Sequence, residues 1–294
     1  MYFGSLFHCG SILLVIGVAA LLWLLLKKKK IRVQKTVVLC LMLLNTVQHF
    51  LKFLIYPQYR GTGFSLYSTA YNVCAVLIIS APLIFLWGSR FLKNFLYFVG
   101  LTAGIGAVCY PFWFFGTPVK ELGWNYFRFY LCHGLLFVSC ILPLLLGLHK
   151  PKYQEFWQIG LGFLLTLCVI LVNNVIFMSI GLYPEGAEMP LYEQLLNVNP
   201  CMMMAPKGDF LRLSRVLECF SPSVFLGHNP SGRYAPILWY ALPVYAGISV
   251  IGFLLFAVLD RKAFCSDIKG TAKKISKKSE KLLTNPGFMI KYHR

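Results

Sequence analysis

Apolar residues fall in long windows along this chain, and short polar segments separate each window from the next. A window of roughly 20 apolar residues is as long as a helix that crosses a lipid bilayer. The pattern predicts an all-α polytopic membrane bundle of about seven transmembrane helices. The predicted spans cover residues 5–26, 36–56, 69–89, 95–115, 125–148, 155–181 and 236–259.

Composition supports the same class of protein. Apolar residues make up 58% of the 294 residues, and the mean hydropathy is +0.67, which is too high for an ordinary soluble domain. The first window has no basic segment before it and its charges follow it, so we interpret it as a span rather than a signal peptide. We expect one bundle over residues 1–260, with an extracellular loop at about 183–235, and a basic tail over residues 261–294.

Basic residues are concentrated in alternate connecting segments. The formal net charge is +18, and most of the 28 lysines and arginines lie in the segments 27–35, 90–93, 150–152 and 261–294. Since cytoplasmic loops carry an excess of such residues, the sequence predicts a multi-pass protein of the cell membrane with its N-terminus outside and its C-terminus cytoplasmic. This topology accounts for the charge, so we predict no nucleic-acid partner.

The basic tail has an apolar stripe, formed by Ile268, Ala272, Ile275, Leu282 and Leu283 among several lysines. Such a pattern is typical of a helix that lies on a membrane and binds anionic lipid headgroups. A solvated tail that only sets the topology is the alternative.

A polar stripe runs along the second predicted span. Asn45, Gln48, His49 and Lys52 are spaced i, i+3, i+4 and i+7, so they share one face of a helix. Polar groups facing lipid would lack hydrogen-bond partners, and we therefore expect this face to point into the bundle or a water-filled cavity. Interhelical hydrogen bonding alone, with Lys52 reaching the interface, is the alternative.

Other spans carry polar groups at a similar depth. At about 1.5 Å of rise per residue, His49, Cys74, His133 and Asn174 all lie roughly 9–12 Å below the outer ends of their helices. Ionisable groups inside a span are costly, which makes them candidates for a functional site. The sequence therefore predicts a shared polar cavity that opens outward.

A cysteine and a histidine in one cavity suggest acyl chemistry. His133 would take the thiol proton of Cys74, and the thiolate would attack an ester carbonyl of a membrane lipid, giving acyl transfer or hydrolysis. Amide side chains could hold the oxyanion and Arg128 a phosphate. The substrate-binding candidates are Arg128, Gln48, His49, Asn72, Asn173 and Asn174.

Other functions are compatible with the same residues. A transporter or small-molecule-binding protein could use the cavity without covalent chemistry, and a structural bundle could use the polar groups as interhelical contacts. His133 could be a hydrogen-bonded structural histidine, or part of a Cys–His–His metal site. We predict no metal and no cofactor, and the sequence predicts no oligomeric state.

Several short motifs in order resemble the YwaF-like family of bacterial integral membrane proteins. They are Asn72-Val73-Cys74, the aromatic segment 93–100, Tyr126 to Phe129, His133-Gly134 and Asn173. The likeness covers about residues 40–180 and the last span. That family is similar to a eukaryotic membrane acyltransferase that remodels ether phospholipids through a cysteine, and more remotely to membrane hydrolases of fatty-acid esters.

The resemblance implies that Cys74 takes the nucleophile position and His133 the base position. This chain departs from the family pattern at two places. Asn72 stands where the family has a histidine, and Gln48 or His49 stands where it has an acidic residue. Either departure could alter the chemistry or remove it.

The predicted extracellular loop contains Cys201 and Cys219, which could form a disulfide outside the cell or remain two free thiols. Met202, Met203 and Met204 follow Cys201 and could bind a soft metal or form an apolar patch that touches the membrane. We expect the loop to cap the cavity mouth.

Overall fold

The computed structural model describes residues 3–55, 64–111, 116, 123–183, 186, 188–207, 211–228 and 232–283. The ends of the predicted spans 36–56 and 95–115, and the tail beyond residue 283, lie partly or wholly outside these ranges. Within the described residues the chain forms eleven α-helices and several short 3-10 turns. They are α1 (Leu6–Leu26), α2 (Ile31–Phe50), α3 (Lys52–Ile55), α4 (Val73–Trp87), α5 (Arg90–Cys109), α6 (Gly123–Leu145), α7 (Trp157–Ser179), α8 (Leu191–Val198), α9 (Leu211–Glu218), α10 (Ala241–Leu259) and α11 (Arg261–Leu283).

Six helical elements among the described residues are long and apolar enough to cross a membrane. These are α1, α5, α6, α10, and α4 and α7 together with the turns before them. The helical bundle predicted from the sequence is confirmed, and the protein is a multi-pass membrane protein. The orientation of its termini stays a prediction.

Helix α2 corresponds to the remaining predicted span, but it is less apolar than the other six. Its 20 residues bury Gln34, Asn45, Gln48 and His49 together with Val38 and Met42. The stripe of Asn45, Gln48 and His49 therefore faces the bundle, as predicted, while exposed leucines such as Leu43 and Leu44 cover the other side of α2. An inward polar stripe lowers the overall hydropathy of a helix without exposing polar groups to lipid.

Helices α5 and α6 approach each other at glycines of α5. A methyl group added at Gly104 would lie 2.7 Å from the backbone nitrogen of Phe137 and 3.0 Å from the carbonyl oxygen of His133. Small residues allow this kind of close backbone approach between membrane helices. The contact fixes the height of His133 relative to α5.

Gly104→Ala should destabilise the bundle, because the added methyl group meets backbone atoms that cannot move aside. We expect a loss of about 1–3 kcal/mol, the usual cost of overpacking a core. Gly106→Ala is the matched control, since a methyl group there meets nothing within 4 Å. Thermal unfolding of the purified protein in detergent measures both variants, and equal melting temperatures for the two would refute the close-packing account.

A hydrogen-bonded network, which we call the Asn94 network, joins α5 to the segment before α7. Asn94 Nδ2 donates to Glu155 Oε2 and to Gln158 Oε1, each at 2.8 Å. Arg90 Nε donates to both carboxylate oxygens of Glu155, and His149 Nε2 donates to Asn94 Oδ1 at 2.7 Å. The neutral imidazole supplies the proton that this last bond needs.

Burial, with the nearby cations Arg90 and Lys93 adding to it, lowers the pKa of His149 from 6.5 to about 4. The folded protein therefore binds this proton less readily than the unfolded chain does. The stability that His149 contributes is complete above about pH 6.5 and is lost as the pH falls toward 4.

His149→Gln should make the protein less sensitive to acid. Glutamine can donate to Asn94 and cannot be protonated, so its variant should lose less thermal stability than the wild type between pH 7 and pH 4.5. Melting temperatures of both proteins across this range measure the difference. Parallel pH profiles would show that protonation of His149 does not oppose folding.

Candidate functional site in a layer of polar side chains

The site is built around the start of α4. Asn72 has an extended backbone, with φ −147°, and its side-chain Oδ1 accepts a hydrogen bond from the backbone N–H of Ala75 at 2.9 Å. Asparagine is a favoured residue at this capping position because it satisfies a first-turn donor. The cap makes Cys74 the second residue of the helix, where backbone N–H groups have no acceptor within the helix.

The thiol of Cys74 is half-buried and interacts electrostatically with two other thiols. These belong to Cys132 on α6 and to Cys201 in the loop after α8. Cys201 also interacts with the backbone N–H of Val73, so both sulfurs approach neighbouring N–H groups at the start of α4. Three segments that are distant in sequence therefore meet at Cys74.

The backbone that delivers Cys201 is left-handed. Asn199, Cys201 and Met202 have φ values of 34°, 55° and 56°, a region that residues other than glycine adopt rarely. The Asn199 side chain holds this turn, because its Oδ1 accepts from Met204 N at 2.8 Å and its Nδ2 donates to Ala205 O at 2.7 Å.

Cys201 and Cys219 are both free thiols in the structure. The Cys219 sulfur donates to the carbonyl of Arg215 within its own helical segment, whereas Cys201 faces the start of α4. The two-thiol alternative therefore describes the structure, and the disulfide does not.

The polar stripe of α2 meets α6 at Cys132. Asn45 Nδ2 donates to the carbonyl oxygen of Cys132 at 3.0 Å, and Gln48 Nε2 donates to Asn45 Oδ1 at 2.6 Å. Gln48 also hydrogen-bonds the Cys132 thiol. The chain of contacts from Asn45 through Gln48 and Cys132 thus ends next to Cys74.

Thr69 joins α2 to α7. Its carbonyl oxygen lies 3.2 Å from His49 Nε2, and its hydroxyl accepts from Asn173 Nδ2 at 2.8 Å. Asn173 Oδ1 accepts from Ala70 N at 3.2 Å, and Asn174 Nδ2 donates to Tyr71 O at 3.4 Å. The segment before α4 therefore links His49 of α2 to Asn173 and Asn174 of α7, and the common depth predicted for His49, Cys74, His133 and Asn174 stays a prediction.

His133 lies on a face of α6 next to the face that carries Cys132. Its Nδ1 donates to the carbonyl of Phe129 at 2.9 Å, and its ring lies 4.3 Å from the Phe129 ring. With Nδ1 protonated, Nε2 is the acceptor nitrogen that a general base needs. Among the described residues, no hydrogen bond, ring contact or electrostatic contact joins His133 to Cys74. Their pairing therefore stays a prediction.

Arg128 lies on the same side of α6 as Cys132. They are four positions apart in sequence, and the guanidinium interacts electrostatically with Cys132, with His49 and with the ammonium of Lys52. Lys52 is buried, and its ammonium donates to the carbonyl of Tyr67. Arg128 and Lys52 therefore form a cationic group next to Cys132 and His49, and the phosphate-binding role of Arg128 stays a prediction.

Sequence reasoning overlooked Cys132 and Thr69. The signal for Cys132 was present, because residues four apart share a helix face and Cys132 follows Arg128 at that spacing, whereas His133 is turned by about 100°. Thr69 gave no signal, since its role depends on a turn that the sequence pattern does not predict. We refer to Asn45, Gln48, His49, Thr69, Cys74, Cys132, Asn173 and Asn174 as the polar layer.

The described residues contain no group of three histidine, cysteine, aspartate or glutamate side chains placed to hold a metal ion. Two open grooves in the described part of the chain lie away from the polar layer, one beside α11 and one beside α8. An outward-facing cavity at the polar layer therefore stays a prediction.

A comparison with known protein families matches most of the chain. The model of the TMEM164 family, a family of membrane proteins, matches residues 2–260. Searches of curated proteins and of solved structures give no significant match. The resemblance to the YwaF-like family and the remoter resemblance to acyltransferases stay expectations.

Thr69→Val should destabilise the protein, because valine keeps the shape but removes the shorter of the two hydrogen bonds that Asn173 Nδ2 donates. Loss of one hydrogen bond costs about 0.5–1.5 kcal/mol. Thr102→Val is the matched control, since the Thr102 hydroxyl bonds only carbonyls of its own helix, those of Phe98 and Val99. Thermal unfolding compares the two, and a loss for Thr102→Val as large as that for Thr69→Val would contradict the proposed link between helices.

Proposed function

We propose that this chain, which belongs to the TMEM164 family of membrane proteins, is an enzyme that transfers or hydrolyses acyl groups of membrane lipids through Cys74. The observation that carries the proposal is the placement of the Cys74 thiol at a capped helix start, where it interacts with the thiols of Cys132 and Cys201 from two other segments. The resemblance of Asn72-Val73-Cys74 to a nucleophile motif supports the same residue. The cell membrane is the proposed location.

The reaction begins with attack of the Cys74 sulfur on the carbonyl carbon of a lipid ester. A carbon–sulfur bond forms, the ester carbon–oxygen bond breaks, and the thiol proton goes to the leaving lysolipid oxygen. The acyl thioester is then attacked by a hydroxyl group of a second lipid, which gives transfer, or by water, which gives hydrolysis. Both routes regenerate the free thiol.

Donors near Cys74 could stabilise the oxyanion of the tetrahedral intermediate. The backbone N–H of Cys74 has no carbonyl acceptor within α4 and points toward the Cys74 sulfur itself, and the capping use of Asn72 Oδ1 leaves its Nδ2 as a donor. Donors that are fixed before the reaction are worth the most to catalysis, because they need no reorganisation. The cap that forms the helix thus also positions a donor beside the sulfur.

His133 is the proposed base, and it has to act from an adjacent helix face. Its acceptor nitrogen is Nε2, and the residue before it, Cys132, borders Cys74. Proton transfer from Cys74 therefore runs through an intervening water or follows a rotation of the His133 ring. Arg128, with Lys52, is proposed to hold the phosphate of the lipid headgroup.

A non-catalytic binding or transport function is the second candidate. The observation that favours it is the absence of any described contact between His133 and Cys74, together with the mutual hydrogen bonding of the amide side chains. Under this alternative the polar layer binds a ligand, and Cys74 is a packing residue.

A thioester-trapping experiment separates the two candidates. The full-length protein is placed in nanodiscs whose phospholipid carries a radiolabelled acyl chain, and protein-bound label is measured after denaturation, with and without hydroxylamine. We expect hydroxylamine-sensitive label on the wild type and its loss in Cys74→Ala. Cys140→Ala is the matched control, because Cys140 is a fully buried thiol that packs against Gly100 of α5.

His133→Ala should slow labelling by about 100-fold or more, the usual contribution of a general base. Label that persists in Cys74→Ala and disappears in Cys132→Ala would transfer the nucleophile role to Cys132. No label on the wild type, combined with lipid binding that Cys74→Ala leaves unchanged, would favour the binding protein.

A further inference from the structure

Helix α11 follows the last span directly, with only Asp260 between them. Its first turns are attached to the segment before α7. Tyr153 donates its backbone N–H to Asp260 Oδ2 at 3.3 Å and its hydroxyl to Asp267 Oδ2 at 2.5 Å, and its ring lies 5.2 Å from the ring of Phe264. These contacts fix the direction in which α11 leaves the bundle at the membrane surface.

One side of α11 is apolar and uncovered. At about 100° per residue, Phe264, Ile268 and Ile275 fall within an arc of about 40°. Ile268 is 52% exposed and Ile275 is 64% exposed, although both belong to a class of residue that is normally buried. An open groove of about 360 Å³ runs along this side, between α11 and Tyr153, and its lining is mostly apolar.

The four lysines between residues 269 and 277 of α11, whose side chains the structure describes, fall in two sets. Lys269 and Lys274 border the apolar side, each about 100–120° from its centre, whereas Lys273 and Lys277 lie opposite it. The helix segment that these residues occupy carries one nearby carboxylate, Asp267, and hydrogen bonds from Tyr153 and Gln154 already engage it. Among the described side chains of α11, no other carboxylate is therefore available to pair with Lys269 or Lys274.

We propose that α11 lies in the plane of the membrane interface and binds anionic phospholipid. Its apolar side enters the acyl region, and the groove beside Tyr153 takes part of an acyl chain. Lys269 and Lys274 extend from the border of this side to the phosphate groups of anionic lipids, as lysines do at membrane interfaces. Charge complementarity selects lipid as the occupant, because the exposed apolar side is bordered by cations and begins at the end of a span.

Hydrogen–deuterium exchange tests the proposal on the full-length protein. Nanodiscs are made of phosphatidylcholine alone or with added phosphatidylserine, and exchange is followed for peptides that cover residues 261–277. We expect exchange in this segment to slow several-fold when phosphatidylserine is present. Lys269→Gln with Lys274→Gln should remove most of this slowing, and Lys273→Gln with Lys277→Gln, the matched control with the same charge, should keep most of it.

Equal exchange of the wild type in both lipid compositions would overturn the proposal and leave α11 as a solvated helix. Equal losses in the two double variants would also overturn it, since they would mean attraction by overall charge without the proposed orientation. Ile268→Ser with Ile275→Ser should speed exchange in both compositions, and unchanged exchange there would contradict insertion of the apolar side. None of these outcomes depends on Cys74, so the result is separate from the proposed enzymatic function.

Discussion

The requirement that polar groups inside a membrane bundle find partners within it governs the part of the structure where the site lies. Thr69 meets this requirement for two helices at once, with its carbonyl near His49 and its hydroxyl accepting from Asn173. An apolar solvent cannot replace these bonds. The segment before α4 is therefore held between α2 and α7, and this position determines where α4 begins and where the Cys74 thiol lies.

The same requirement explains which parts of the fold could be predicted. Apolar windows reveal spans because length and hydropathy are properties of the chain itself, and the spacing of Asn45, Gln48 and His49 reveals an inward face for the same reason. Thr69 could not be predicted as a link, because its bonds depend on a turn whose geometry is set by other helices. Cys201 reaches the site through a left-handed turn that the local sequence does not predict.

Consecutive residues of α6 point in different directions around the helix axis. This difference distinguishes the pairing of Cys74 with His133, which is proposed, from its interaction with Cys132, which the structure describes. Cys132 and His133 are neighbours in sequence, yet the first interacts electrostatically with Cys74 and the second lies against the Phe129 ring. A cysteine–histidine pair read from sequence alone ignores this rotation. The chemistry proposed for Cys74 therefore depends on the proton reaching His133 by water or by movement, whereas the grouping of the three thiols follows directly from the fold.

We infer that Cys74 sits at the junction of α4, α6 and the loop after α8. A short bifunctional thiol reagent, applied to the full-length protein in membranes and followed by mass spectrometry of the linked peptides, measures which thiols lie close together. We expect links from Cys74 to Cys132 or to Cys201. Links from Cys201 to Cys219, with Cys74 modified only singly, would contradict it.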